Sequence, residues 1–365
     1  MSGIVWNEVS ANSSGGTELM ARQLEKRMPA DLMKEYQITI SRMRDLDQTK
    51  VRILWEHDLP GDPEADKALG EGGWNRFHKI VFVSNWQQQA FCAHYHIPWG
   101  RCVVLLNAIE PIDSDVVNGI TQWNRPDPNE VVRLVYTSTP HRGLGLLYPA
   151  FKKLQETHGK IELVVYSSFN LYGWPERDKE YEALFEVLEK DPTVKLHNLG
   201  TPNKDVKEAL KGCHIFAYPS VWMETSCLCL MEAMSAKLLC VHPNFAALPE
   251  TAANWTMMYQ WNDDVNVHAT QHYSVLGMAV NALRDPKAAD QIKNRLDHQK
   301  AYADAFYNWN TRSTQWELLL RGLVNEPRDI KTNDQGMFVY RAAWLLPFLV
   351  PTLIDAMNSV WSLMA

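Results

Sequence analysis

Two glutamates eight positions apart, Glu224 and Glu232, carry the strongest chemical signal in this chain. They stand in the stretch Pro219 to Val241, PSVWMETSCLCLMEAMSAKLLCV. The run HIFAY (214–218) before it reads as a strand, and the residues after it as a loop feeding a helix. The pattern predicts a helix from near Ser226, with Glu232 about two turns inside. At ~1.5 Å per residue the two carboxylates then lie roughly 12 Å apart along the axis, both reachable from the helix's N-terminal end. That end offers unpaired N–H groups and a partial positive charge, so it attracts a phosphate. One carboxylate above a diphosphate and one beside it can hold hydroxylated groups at its two ends. A nucleotide-sugar has that shape.

Around this stretch, strands and helices alternate. Residues 4–6, 36–41, 51–56, 79–84 and 102–106 read as strands from their branched and apolar content. Between the first two, Gly15 and Gly16 precede a helix from Thr17, a turn that lets backbone N–H groups approach a phosphate. His57 closes the strand 51–56, at the carboxyl edge where α/β folds bind ligands. Asp58 after it either orients the imidazole or begins a turn. Polar NGITQWNRPDPNE (118–130), with two prolines, reads as a linker. Strands at 131–137, 161–168 and 194–200 and helices over about 266–325 complete the alternation. The expectation is two doubly wound α/β domains facing across a cleft, 1–117 and 131–326, with a helical tail at 327–365.

Composition excludes several classes. A formal charge of −7 with no basic run argues against a general nucleic-acid binder. No G-x-G-x-x-G follows the first strand, which argues against a dinucleotide oxidoreductase. The start reads as no signal peptide, and six cysteines without a CxxC pair read as reduced thiols of a cytoplasmic protein. No metal site is expected: the C-x-C at 227 and 229 lacks a second half, and Asp113–Asp115 falls at the linker. In the tail, AAWLLPFLVPTLI (342–354) is shorter than the roughly twenty apolar residues that span a bilayer. Residues 338–365 are therefore expected to dock, to form an oligomer contact or to touch a membrane peripherally. Fourteen tryptophans, among them Trp55, Trp74, Trp86 and Trp99 in the first half, read as core or as sugar-stacking faces.

With Tyr218–Ser220 before it, E-T-S-C-L-C-L-M-E-A-M resembles the signature of retaining glycosyltransferase family 4, the group 1 glycosyl transferases. That signature usually runs E-G-F-G-L-x-x-L-E-A-M-A-x-G. It matches at Glu224, Leu228, Glu232, Ala233 and Met234, and departs at Ser226, Cys227 and Lys237. Gly15, Gly16 and Thr17 resemble the family's N-terminal glycine loop, and His57-Asp58 its His-Asp. STPHRGLGLL resembles G-R-x-x-x-x-K-G-L-x-x-L, with Arg142 in the lysine's place and Ser138 replacing the other cation. Pro249 and Glu250 match a Pro-Glu, and Trp309 a tryptophan that packs in the closing helix.

The resemblance covers about 1–326 and implies the GT-B architecture, two Rossmann-like domains. It also implies metal-independent transfer of a sugar from a nucleotide-diphosphate sugar to a carbohydrate or lipid-linked hydroxyl, with retained configuration and no further cofactor. Arg142 and Thr225, Ser226 and Cys227 at the helix start would hold the diphosphate, with Ser138 and the glycine loop beside it. Glu224 would fix the sugar, Glu232 the ribose, and His57 the sugar from the opposite domain. Two alternatives stay open: a nucleotide-sugar epimerase, and a non-catalytic binding or assembly subunit.

Overall fold

The computed structural model describes residues 3–5, 15–43, 45–113, 116–117, 120–121 and 130–330. The first sheet is built from short apolar runs: β1 (Ile4–Val5), β2 (Tyr36–Ile40), β3 (Val51–Trp55), β4 (Lys79–Phe82) and β5 (Cys102–Val104), parallel and in that order. Every residue of β2 and β3 is buried, as a sheet covered on both faces requires. Helices α1 (Gly16–Arg27), α2 (Ala30–Met33), α3 (Pro63–Leu69) and α4 (Asn85–Tyr95) supply the covering layers. The strand period of two sorts the contacts. Ile53, Trp55 and Val81 face Met20, Ala21 and Leu24 of α1. Leu54, Ile80 and Phe82 face Ala65 and Leu69 of α3 and Phe91 of α4.

A two-stranded ladder, β6 (Val116–Val117) with β7 (Ile120–Thr121), stands within the passage to the second sheet. The second sheet has β8 (Val132–Thr137), β9 (Ile161–Tyr166), β10 (Val194–His197), β11 (Ile215–Ala217), β12 (Leu239–Pro243) and β13 (Met257–Tyr259). Its connections carry α5 (Leu144–His158), α6 (Glu182–Lys190), α7 (Asn203–Leu210), α8 (Leu228–Ser235) and α9 (Leu248–Ala252). All strands are parallel, in the order β10-β9-β8-β11-β12-β13. The chain builds outward from β8 in one direction and then returns to build outward in the other. That reversal leaves a crevice between the loops after β8 and β11.

Among the described residues three helices follow: α10 (Val265–Arg284), α11 (Ala289–Phe306) and α12 (Trp309–Leu323). The last does not stay with the second sheet, where the sequence put residues 131–326. Trp309, Trp316, Leu320 and Leu323 pack into the core of the first sheet, and the Trp316 ring meets Trp55 edge-on at 4.8 Å. Tyr36 donates to the Leu320 carbonyl from the same sheet. Trp309 is therefore core, as its sequence context suggested. Most of the expected linker at 118–130 and all of 338–365 lie outside the described residues. Among the described residues no helix is long and apolar enough to cross a membrane.

Under α10, three histidines are fully buried against β12 and β13: His242, His268 and His272. His242 meets the Thr256 hydroxyl at 2.7 Å, and His268 reaches the Pro219 carbonyl at 3.3 Å. Both ring nitrogens of His272 lack a protein partner. Burial, helped by His268 and His242 beside it, pushes the His272 pKa down to about 3. The folded protein therefore binds this proton less readily than the unfolded chain does. Its contribution is intact above about pH 6.5 and is lost as pH falls toward 3. We expect His272→Leu to gain about 2 kcal/mol at pH 5 relative to its effect at pH 8, measured by urea unfolding at the two pH values. An equal effect at both would refute a neutral buried imidazole.

Candidate functional site

The crevice at the strand-order reversal is bounded by two loops that touch. The loop after β8 makes a tight turn, Pro140–Arg142, and then Gly143 at φ 125°. A Cβ on Gly143 would stand 2.2 Å from the Pro219 carbonyl oxygen in the loop after β11. Glycine alone fits there, on both steric and dihedral grounds. The close approach delivers Arg142 to Glu224: Nη1 lies 3.0 Å from each carboxylate oxygen. The Arg142 carbonyl also accepts from the Val221 N–H at 3.3 Å, locking the loops by backbone.

Glu224 is 4% exposed, so its charge needs these partners. Tyr218 donates to Oε1, and Arg142 Nη2 points to the Tyr172 hydroxyl at 3.5 Å. Burial works against the arginine's charge, but Glu224 beside it reverses that and holds its pKa well above the ordinary value. Burial and the Glu224 charge push Tyr218 up, so it remains a proton-bearing donor.

The first sheet brings its own edge to this pair. A Cβ on Gly15 would lie 2.7 Å from the Tyr172 ring and 2.4 Å from Glu18 Oε2, and one on Gly16 3.1 Å from Leu228. The glycine loop thus abuts both the Arg142 neighbourhood and the first residue of α8. Thr225 Oγ1 donates to the His57 carbonyl at 2.8 Å, joining the two sheets one residue from Glu224. The His57 ring packs 4.7 Å from Trp55, and burial pushes its pKa down to about 3. It is a neutral hydrogen-bonding group at ordinary pH. Glu56 organises the turn behind it, accepting from the N–H groups of His57 at 3.0 Å and Asp58 at 2.9 Å. Asp58 stands at a bend, and its carboxyl meets the Ser41 side chain.

Several buried polar atoms here have no protein partner: His57 Nε2, Glu18 Oε2, Arg142 Nε and Ser226 Oγ. Such atoms are costly unless something polar meets them. The arrangement can hold an anion at Arg142 and the start of α8 while offering acceptors and donors to hydroxyl groups from both sheets.

Most sequence-predicted residues converge, while the helix carrying Glu232 starts later than its pattern suggests. The helix begins at Leu228, capped by Cys227 in extended conformation, rather than near Ser226. Residues 224–227 are therefore loop, and the 12 Å axial spacing of two carboxylates on one helix does not apply. Glu232, fifth in α8, turns toward α7, where Asn203 Nδ2 donates at 3.0 Å and Lys207 Nζ stands 3.5 Å away. Burial raises its pKa against the opposing pull of Lys207. The Cys227 thiol lies in the core. Ser138 joins the site through the Tyr218 hydroxyl at 3.4 Å, and Thr17 sits half-buried in the first turn of α1. Among the tryptophans, Trp55 is core while Trp99 is 66% exposed.

Sequence reasoning missed Tyr172, for which no local pattern exists. It noted Glu250 without a role. That carboxylate accepts from Asn85 N at 2.9 Å, Asn85 Nδ2 at 2.8 Å and Trp86 N at 3.0 Å, across the domains.

The model of the family described as glycosyl transferases group 1 matches residues 120–265. No curated protein matches the chain. Among solved structures it is similar to a glycosyltransferase from Rickettsia africae ESF-5, at 14% identity and TM-score 0.60 over 88% of this chain and 84% of that one. It is also similar to WaaG, a glycosyltransferase involved in lipopolysaccharide biosynthesis, at 18% identity and TM-score 0.56 over 78% and 77%. A third is the pneumococcal O-GlcNAc transferase GtfA in complex with UDP and GlcNAc, at 12% identity and TM-score 0.52 over 79% and 57%. These likenesses establish the fold as GT-B, two Rossmann-like domains.

The contact at Gly143 makes a prediction of opposite signs two residues apart. Gly143→Ala meets the Pro219 carbonyl at a positive φ and costs on the order of 1–3 kcal/mol. Gly145→Ala, in the first turn of α5 with open space around its Cβ, gains up to about 1 kcal/mol. Urea unfolding of the two variants checks this. Equal effects would mean that the two loops do not touch.

Proposed function

We propose that this protein is a retaining, metal-independent glycosyltransferase moving a hexosyl group from a nucleotide-diphosphate sugar to a hydroxyl of a carbohydrate or lipid-linked acceptor. One observation carries the reading. Arg142 and Glu224, from loops on either side of the strand-order reversal, meet in one buried site that the other domain's glycine loop and His57 complete. The match to group 1 glycosyl transferases over the second sheet supports it. So do neighbours of this fold that act in lipopolysaccharide biosynthesis or bind UDP.

In this reading Arg142 and the N–H groups at the start of α8 grip the diphosphate, with Gly15 and Gly16 allowing close approach and the Ser138 and Ser226 hydroxyls adding donors. Glu224 accepts from sugar hydroxyls, Glu232 from the ribose, and neutral His57 bonds the sugar from across the cleft. The bond between the anomeric carbon and the diphosphate oxygen breaks with its electron pair on the diphosphate. The acceptor oxygen bonds the same face of that carbon and passes its proton to the departing diphosphate oxygen. Donors fixed around the departing oxygens, Arg142 and the neutral N–H and hydroxyl groups together, are the main stabilisation, and they need no metal.

A second reading, a subunit that binds without catalysis, draws on the fact that the Arg142 charge is already matched by Glu224. Thermal shift with UDP-, GDP- and ADP-sugars finds the donor, since binding raises the melting temperature. With that donor we expect transfer that is unaffected by EDTA and yields a product of unchanged anomeric configuration by NMR. Glu224→Gln should lose roughly 10²–10³-fold in kcat. Conversion of donor without acceptor would favour an epimerase, binding without any turnover the non-catalytic reading, and full activity of Glu224→Gln would sink the site assignment.

A further inference from the structure

We infer that Glu250 is a positioning residue: its carboxylate reaches from the second domain to the start of helix α4 in the first and holds the two halves of the site together. The accounting of α4's first four N–H groups shows how. Gln87 N bonds the Ser84 hydroxyl at 3.0 Å and Gln88 N the Ser84 carbonyl at 3.1 Å. The other two, Asn85 N and Trp86 N, are met by Glu250. The first turn of α4 has no acid of its own, so two of its opening N–H groups and all its complementary charge are met from the other domain. The Asn85 amide adds a third bond to the same carboxylate.

Glu250 is well placed to transmit this hold. It lies in α9, and Ala247, just before that helix, donates its N–H to the Glu224 carbonyl at 3.0 Å. Next to Glu224, Thr225 bonds the His57 carbonyl. The loop bearing Glu224 is thus tied to the first domain twice, directly beyond the end of β3 and through α9 at the start of α4. Groups from opposite domains can act on one substrate only if their spacing is fixed to a fraction of an ångström. Glu250 contributes to that spacing without itself touching the site. The catalytic consequence rests on the glycosyltransferase reading; the clasp itself does not.

The test uses the full chain. Glu250→Ala should enlarge the radius of gyration in small-angle scattering of the free protein. It should also raise KM for donor and acceptor about tenfold, with kcat within about twofold, because saturating substrate restores the closed arrangement. Glu250→Gln, which keeps an acceptor oxygen, should recover part of the affinity. Asn85→Asp separates a clasp from a mere helix cap. It gives α4 an acid of its own but sets two carboxylates against each other, so a clasp predicts opening and raised KM, and a simple cap predicts neither. Glu250→Ala combined with Asn85→Asp should regain melting temperature without regaining closure or KM. Unchanged scattering in Glu250→Ala, or full recovery of KM in the double variant, would overturn the inference. If no sugar donor binds or reacts with the unmodified protein, the functional reading fails, while the scattering comparison still decides the clasp.

Discussion

A half-buried guanidinium and a buried carboxylate can share the middle of this molecule only by neutralising each other, and the Arg142–Glu224 pair is the constraint around which the site is arranged. Neither side chain could be withdrawn from water alone without a penalty of several kcal/mol. The pair forms because backbones, not long side chains, bring the loops together. Gly143 rests against Pro219, the carbonyl of Pro219 is held from the other side by His268, and Val221 bonds back to Arg142. Tyr218 and Tyr172 complete a shell of phenols around the charges. A site made this way is rigid before anything binds, which electrostatic stabilisation of a departing group requires.

The second constraint is that the two sheets be held to each other, and the chain achieves it by crossing between them twice. After β5 it leaves the first sheet, and after α11 it returns with α12, whose Trp316 meets Trp55 beneath the His57 ring. Where the crossings run side by side, Ile109 donates to the Tyr307 carbonyl and bridges Asn308. The hinge side is therefore fixed by covalent chain and apolar packing. The open side is fixed by polar contacts, Thr225 to His57 and Glu250 to α4. Apolar burial is indifferent to small rotations, whereas hydrogen bonds are directional. That division of labour lets one edge serve as a pivot and the other set the distance.

Much of this was legible in the sequence because it is local. Branched runs such as VRILW and VRLVYT became β3 and β8, and the residues bringing the loops together, Arg142, Gly143 and Glu224, stand in short local motifs that the family resemblance singled out. What was not legible depends on partners far away in the chain. The helix start shifted by two residues because Cys227 stays extended as its cap, a choice that packing of its thiol in the core decides. Glu232 turned toward α7 because Asn203 and Lys207 wait there, and nothing in its own helix period announces them. The return of α12 to the first sheet leaves no mark in an apolar pattern that would suit either core. Glu250 was visible as half of a motif, but its work is done 165 positions away in sequence, at Asn85.

The charge present at the site limits how a diphosphate would be held there. The family pattern has two cations there; in this chain Ser138 replaces one, and the other, Arg142, is already balanced by Glu224. In the proposed reading an incoming diphosphate would meet little net positive charge and would be gripped largely by neutral donors: the N–H groups opening α8, the hydroxyls of Ser138 and Ser226, and the backbone bared by Gly15 and Gly16. Coulombic attraction between full charges acts over many ångströms and tolerates misplacement, while hydrogen bonds weaken steeply with distance and angle. A site that relies on the second kind must have its geometry set in advance. The loop contact at Gly143 and the cross-domain bonds of Thr225 and Glu250 are the features of this fold that set it.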